Sequence, residues 1–331
     1  MNEQFDLAVC IGRFQLFHDG QAALIRRGLE IAPLCIVVIG SAHQARSLRN
    51  PFTWEERAEM IRISLPEADR ARVQFMPVRD YFSQERWAAA VRDCVAAAPG
   101  RRGARLVDVG RQGDLHAKDL RAALFTGQSV KNSLAAIAGQ VPPTTLDFLE
   151  AWTHLPYFAA LRAEWQALAA EQSLWAGSPF PPAFVTVDAV VHMAGHVLLI
   201  RRGRAPGKGR LALPGGFLEQ RETVYQSAVR ELEEETGFRL LPSTMRAALR
   251  EVRVFDHPDR SQRGRVITHA HYFALGDGPL PEVRGSDDAS EAMWVPQSEL
   301  AGMETQFHDD HFYILDVFMR ERPVPPDGGR C

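Results

Sequence analysis

Glu231, Glu234 and Glu235 sit three and four residues apart in the segment GGFLEQRETVYQSAVRELEEETGF, residues 215 to 238. On a helix that spacing sends all three carboxylates to one side. Like charges so placed repel by a few tenths of a kcal/mol per pair when solvated. A solvated acidic face is the bland alternative, yet a divalent cation removes the repulsion and converts it into binding. Hard oxygen ligands at close range suit Mg²⁺, which also keeps several waters and phosphate oxygens in its shell. Gly215 and Gly216, ahead of the helix, let the backbone approach a metal or phosphates, and Gly237 closes the helix.

A second segment, GRFQLFHDGQ at residues 12 to 21, follows an apolar run. Gly12, Arg13 and Phe14 lead into His18, Asp19, Gly20 and Gln21, where a helix should open. The N-H groups of a helix start point at an anion.

These residues need elements to position them. DLAVCIG, LCIVVIG, RVQFMPV and RLVDVG read as buried strands, and segments 20 to 32, 54 to 64 and 84 to 98 carry apolar residues at helical spacing. Such alternation predicts a parallel, doubly wound sheet with ligand at the carboxyl ends of its strands. GRFQLFHDGQ lies at such an end. TTLDFLEAW and YFAALRAEWQALAAEQSLW then read as a helical connector packed on both neighbours, and GSPFPPA at 177 to 183 breaks the pattern. Beyond it FVTVDAVVHM and HVLLIRR form a hairpin turning at Ala194-Gly195. A long helix, further strands around ALREVRVF and THAHYFAL, and a last helix near 308 to 320 complete a mixed α/β unit. The expected domains are 1 to 143, a connector at 144 to 182, 183 to 322, and a loose tail at 323 to 331.

The 331 residues are 46% apolar and 24% charged, with a net charge of -3, an ordinary globular balance without a basic field for nucleic acid. No secretory signal or membrane span is expected. Cys10, Cys35, Cys94 and Cys331 show no metal-site spacing, and Cys10 and Cys35 read as buried thiols in a reducing cytoplasm.

The segment from 215 to 238 resembles the Nudix box, matched at Gly216, Glu222, Arg230, Glu231, Leu232, Glu234, Glu235, Gly237 and Phe238. The resemblance implies hydrolysis of a diphosphate attached to another moiety, using Mg²⁺ or Mn²⁺. Glu231, Glu234 and Glu235 would bind metal, helped by the carbonyl of Gly215 or Gly216. Arg230 would hold those carboxylates, with Glu222 as its partner. The flanks PGKGRLALPGG, DHPDRSQRGRVITHAHYF and DDASEAMWVP, with NPFTWEER and FHDDHFYIL, resemble Nudix ADP-ribose pyrophosphatases fused to NMN adenylyltransferases. Arg260, Arg263 and Arg265 then become candidates for a phosphate or ribose, against a solvated basic loop. The pairs His269 and His271, and His308 and His311, read as structural. Asp287, Asp288 and Glu291 are candidates for the general base.

The first domain resembles the adenylyltransferases with three departures. Their HxGH becomes His18, Asp19, Gly20, Gln21, so the second histidine is a glutamine. Their late SxTxxR-like turn corresponds to HAKDLR, which keeps Arg121 but has Lys118 in place of threonine. The segment that follows the fourth strand in that family is largely absent after Gly110. A nucleotide-binding fold with slow or absent adenylyl transfer is therefore expected. Partners should be small nucleotides: ADP-ribose, and ATP or NMN for the first domain. No nucleic acid or membrane partner is expected, and a homo-oligomer stays open. The alternatives are a fully bifunctional enzyme and a non-enzymatic nucleotide-sensing regulator. The regulator needs a DNA-binding module, for which nothing after residue 320 offers material.

Overall fold

The computed structural model describes residues 5–81, 83–98, 105–111 and 115–320. The tail expected at 323–331 and part of the shortened segment after Gly110 lie outside the described residues. The chain divides into two compact units, Met1–Trp165 and Gln166–Cys331. That division falls within the segment expected as a connector.

The first unit runs β1 (Leu7–Gly12), α1 (Asp19–Ile31), β2 (Leu34–Ile39), α2 (Trp54–Ser64), α3 (Glu67–Arg70), β3 (Val73–Pro77), α4 (Gln84–Ala97), β4 (Leu106–Arg111), α5 (Leu115–Thr126), α6 (Val130–Ile137) and α7 (Pro143–Thr153). The long helix α8 (Pro156–Ser173) follows. The strands pair in parallel in the order β3-β2-β1-β4. Ala8, Cys10, Cys35 and Val37 face Ile25, Leu29, Met60 and Leu124 from α1, α2 and α5. The alternate residues Val9, Ile11, Ile36 and Val38 face Val91 and Val95 of α4. Burial on both faces is why these strands read as continuous apolar runs. Cys10 and Cys35 are free, buried thiols with sulfurs 3.7 Å apart on neighbouring strands. Leu149 and Trp152 of α7, with Phe158 and Leu161 of α8, close the first face.

The second unit runs β5 (Ala183–Met193), β6 (His196–Arg202), β7 (Leu211–Ala212), β8 (Gly215–Phe217), α9 (Val224–Thr236), α10 (Pro242–Ala248), β9 (Leu249–Phe255), β10 (Arg265–Ala274), β11 (Ala289–Pro296) and α11 (His311–Arg320). Ala194 at φ 47° and Gly195 at φ 72° turn β5 into β6 in the left-handed conformations that a two-residue hairpin requires. The sheet order is β11-β6-β5-β10-β9, with β5 and β10 parallel and β7 and β8 paired to β6 and β5. Leu232 of α9 packs on Ala189, Val191, Leu198 and Phe273, and α11 covers the other side through Ile314, Leu315 and Phe318. The expected mixed α/β architecture is thus observed. No described helix is long and apolar enough to cross a membrane.

In the first unit the loop after β1 is pinned by two side chains. Gln15, fully buried, donates from Nε2 to the Phe52 carbonyl at 2.9 Å and accepts the Phe52 N-H at 3.1 Å. Arg57, at the start of α2 and also fully buried, donates to the carbonyls of Thr53 (3.1 Å), Arg13 (2.5 Å), Gly40 (2.7 Å) and Ser41 (3.0 Å). Burial pulls its pKa down to about 9 against the field of Asp80. One guanidinium therefore ties the carboxyl ends of β1 and β2 together. Replacing it leaves buried carbonyls without donors, at roughly 1–3 kcal/mol each. Arg57→Met is expected to lower the first unit's unfolding free energy by about 3 kcal/mol or more. Arg57→Lys should recover only part of the loss, because one ammonium cannot reach all four acceptors. Denaturant unfolding of both variants beside wild type checks this.

Candidate functional site

Helix α9 begins with a capping box, in which Thr223 accepts the Gln226 N-H and Gln226 accepts the Thr223 N-H. It ends at Gly237, whose φ of 66° suits glycine and whose N-H reaches the Glu233 carbonyl at 2.9 Å. Between these caps Arg230 gathers three carboxylates. Its Nε donates to Glu222 at 3.0 and 3.1 Å, and its Nη1 to Glu231 at 3.1 Å and Glu234 at 2.7 Å. Burial works against this charge, but Glu222 and Glu234 outweigh it and hold the guanidinium firmly protonated. Glu222 is fixed in turn by the Ser227 hydroxyl at 2.5 Å, and its own pKa is lowered by Ser227 and Arg230.

Glu235 is bound differently. Its side chain is 3% exposed and accepts the Gly215 N-H at 2.8 Å. Burial pushes its pKa up to about 8, and Glu231 is raised for the same reason. The backbone of β8 presses close to these acids: a Cβ on Gly216 would lie 2.4 Å from Glu231 Oε1, and one on Gly215 would lie 2.2 Å from the Val187 carbonyl. Gly215 is required by space, whereas a side chain at 216 would displace the Glu231 carboxylate. Among the described residues no three acid, histidine or cysteine side chains gather as a finished metal cage. Arg230 is the present counter-charge.

These groups open into a cavity of about 620 Å³. The loop after Val283 forms one rim by meeting the carbonyls that end α9. Arg284 N-H donates to Thr236 (2.9 Å), Ser286 N-H to Glu235 (3.2 Å), and the Ser286 hydroxyl to the Glu234 carbonyl. This docking brings Asp287 and Asp288 into the cavity wall, whereas Glu291 pairs with Arg201 at 3.0 Å outside it. The same cavity is lined by Arg202, Arg260 and Arg263. Arg260 is committed to Asp310 by two 2.9 Å bonds, in a pair almost wholly buried. Burial raises Asp310 to about 7 despite that partner. Arg265 does not line the cavity; it bonds the Asp256 carbonyl instead.

Sequence reasoning passed over Asp188 and Arg202. Asp188 sits on the cavity side of β5, accepts the Thr268 hydroxyl at 2.6 Å, and is raised in pKa by complete burial. Arg202 ends β6 on the side of Leu198 and Ile200, with Nε on the Pro206 carbonyl at 2.9 Å. Each is a charged residue continuing an apolar strand face, and that was the available signal. His308 and His311 line the cavity, yet burial drives both down to about 3, so both rings are neutral. His311 Nδ1 accepts the Leu213 N-H at 3.2 Å, which puts its proton on Nε2. His271 Nδ1 meets the His269 carbonyl at 2.9 Å.

In the first unit His18 caps α1 and is buried, and Gly20 lies in its first turn. Gln21 is also buried, with its Oε1 accepting the His18 N-H at 3.4 Å. The substituted residue thus closes the capping box of its own helix. Gly12 ends β1, where its Cα faces the Phe14 ring; a Cβ there would sit 3.1 Å from that ring. Arg13 follows, its carbonyl held by Arg57. Arg121 is buried and donates to the Gln15 carbonyl, while Lys118, one turn earlier on α5, is exposed.

Residues 182–318 match the NUDIX domain family, and residues 9–89 match the cytidylyltransferase-like family. A solved bifunctional NMN adenylyltransferase/ADP ribose pyrophosphatase from Francisella tularensis, complexed with AMP and Mn ion, is 32% identical to this chain. The match covers 96% of this chain and 99% of that one at a TM-score of 0.85. The ADP-ribose pyrophosphatase of Methanocaldococcus jannaschii is 37% identical over 136 residues, 41% of this chain and 73% of that protein. The nicotinamide/nicotinic acid mononucleotide adenylyltransferase of Acinetobacter baylyi is 36% identical over 94 residues, 28% of this chain. The match spans only 50% of that protein's length.

The raised pKa of Glu235 fixes the sign of a pH effect. An acid whose folded-state pKa is about 8 rather than the ordinary 4.5 takes stability away as pH rises between those values. Glu235→Gln removes that titration and keeps an acceptor for the Gly215 N-H. The metal-free variant is expected to melt above wild type at pH 8, by roughly 2–4 °C per kcal/mol gained, with the advantage fading toward pH 5. Melting curves across that range in the presence of a chelator check it.

Proposed function

The chain belongs to the family of bifunctional NMN adenylyltransferase/ADP-ribose pyrophosphatases, and we propose that its Nudix domain hydrolyses ADP-ribose to AMP and ribose 5-phosphate with Mg²⁺ or Mn²⁺. The observation that carries this reading is a cavity lined by the carboxylates of Glu231, Glu234 and Glu235 together with the guanidiniums of Arg202 and Arg263. A diphosphate in such a cavity meets guanidinium donors directly and carboxylates that accept it only through cations.

The residues fit a hard divalent cation in kind. Three carboxylates share one helix face, the backbone of Gly215 and Gly216 lies beside them, and burial holds the Glu235 pKa up against the field of Arg202. Glu231 and Glu234 would leave Arg230 Nη1 to reach the ion. The bound metal would neutralise charge on the departing phosphate and lower the pKa of the attacking water. Arg230 would stay anchored to Glu222 and keep the acids aligned. Its Nη2, buried and without a partner among the described residues, offers a donor to an incoming oxygen. Asp287 and Asp288, which line the cavity, are the candidates to take the proton from water; Glu291 is the weaker one. The 37% identity to an ADP-ribose pyrophosphatase supports the choice of substrate.

For the first domain we propose weak binding of ATP or a related adenine nucleotide, with NMN adenylylation slow or absent. Of the expected contacts, Gly12, Arg13, Phe14, His18, Gly20 and Lys118 would make the site. Gln21 is turned to its own helix and Arg121 to Gln15, so two expected phosphate contacts are engaged elsewhere. The second reading is a fully bifunctional enzyme, and the full-length likeness to the Francisella protein favours it.

Glu234→Gln and Glu235→Gln are each expected to lower ADP-ribose turnover about 100-fold or more with the fold intact. Near wild-type cleavage by both variants would move the metal elsewhere, and another diphosphate preferred by more than about tenfold would overturn the substrate but leave the hydrolase. With NMN, ATP and Mg²⁺ supplied, NAD formation is expected well below about 1 per second. A rate at or above that value would establish the bifunctional reading.

A further inference from the structure

The cavity changes character along β5. Asp188, Thr186 and Phe184 project from the same side of that strand, so its cavity face runs from a buried acid to an aromatic ring over about 13 Å. Phe184 meets Phe217 of β8 edge-on, with centroids 5.7 Å apart, and Trp175 meets Phe184 in the same way at 5.2 Å. Phe217 lines the cavity and keeps 40% of its surface exposed, although large apolar side chains are usually covered. The Arg263 guanidinium lies 5.4 Å from the centre of the Phe217 ring, and its Nε is 3.5 Å from Glu171. A cation over an open aromatic ring, braced by two further rings, is poorly explained as core packing because the ring it serves is not in a core.

We propose that Phe217 and Arg263 form a stacking site for the planar aromatic base of a nucleoside diphosphate-linked substrate. The inference rests on the reading of the cavity as a diphosphate hydrolase site, and it assigns the two ends of that substrate. The diphosphate lies toward the carboxylates of α9, and the base lies against Phe217 at the rim. Phe184 and Trp175 are positioning residues that hold the Phe217 ring edge-on. Stacking is indifferent to the base's hydrogen-bonding edge, so this site selects a nucleoside over a bare sugar phosphate more strongly than one base over another. A stacked base contributes roughly 1–3 kcal/mol when its aromatic partner is truncated to alanine.

The test is calorimetric titration of the full chain with AMP and, separately, ribose 5-phosphate, for wild type, Phe217→Ala and Phe217→Trp. Phe217→Ala is expected to weaken AMP binding at this site by about tenfold or more and leave ribose 5-phosphate unchanged. Phe217→Trp should retain AMP affinity. AMP taken up by the first unit is common to all three proteins and cancels in the comparison. The ADP-ribose KM should rise in Phe217→Ala with kcat nearly unchanged, which a merely structural residue would not produce. Equal weakening of both ligands, or no change in either, overturns the stacking site. If AMP binding falls as expected but no diphosphate is cleaved, the subsite stands and the hydrolase reading fails. If ADP-ribose is cleaved and AMP binding does not respond to position 217, the hydrolase reading stands and the subsite fails.

Discussion

Three carboxylates on one guanidinium is the interaction around which the second unit is built. Glu222, Glu231 and Glu234 would repel one another if left alone, and Arg230 draws all three together. The arrangement is unbalanced, since one positive charge answers three negative ones, and Glu235 behind them accepts a backbone N-H and feels the charge of Arg202. That residual negative field makes the cavity receptive to cations. Stability and function thus pull in opposite directions at α9: a helix designed only to last would not stack acids on a face and bury another beneath them. The caps at Thr223 and Gly237 and the packing of Leu232 supply what the acids take away.

The strands and helices of both units were legible because their apolar residues recur at distinct periods, and because the hairpin at Ala194-Gly195 and the cap at Gly237 use residues that tolerate left-handed backbone. The acidic face was legible from spacing alone. Arg202 and Asp188 were not singled out, because each is a solitary charge whose partners, Pro206 and Thr268, come from a loop conformation and a neighbouring strand. Sequence cannot give that proximity before the sheet order is known. The same limit governs the arginines of the loop before β10. Arg260, Arg263 and Arg265 look equivalent as letters. One is locked to Asp310, one lies over Phe217, and one bonds the Asp256 carbonyl away from the cavity. Gln21 is the clearest case of a residue whose meaning changed: a substitution that reads as a lost phosphate contact is, in the fold, a helix cap.

The first unit solves a different problem. The loop at the carboxyl end of β1 is held in shape by side chains from α2 and α5. Arg57 gathers carbonyls from β1 and β2, Gln15 doubles onto Phe52, and Arg121 reaches Gln15 from across the sheet. Groups spent in this way are scaffold. The contrast with the second unit is physical: there the cavity's cations and anions are only partly satisfied, whereas here the polar groups of the loop are largely paired with one another.

The rim after Val283 reaches the end of α9 through the backbone N-H groups of Arg284 and Ser286 and through the Ser286 hydroxyl. It behaves as a socket. Residues 287 and 288 carry duties of their own: Asp287 takes a left-handed backbone at φ 52°, and the Asp288 carboxylate pairs with Arg204 at 2.7 Å. Side chains seated there keep a constant address beside the helix, and the backbone of Asp287 reserves its seat for the few residue types that accept a positive φ.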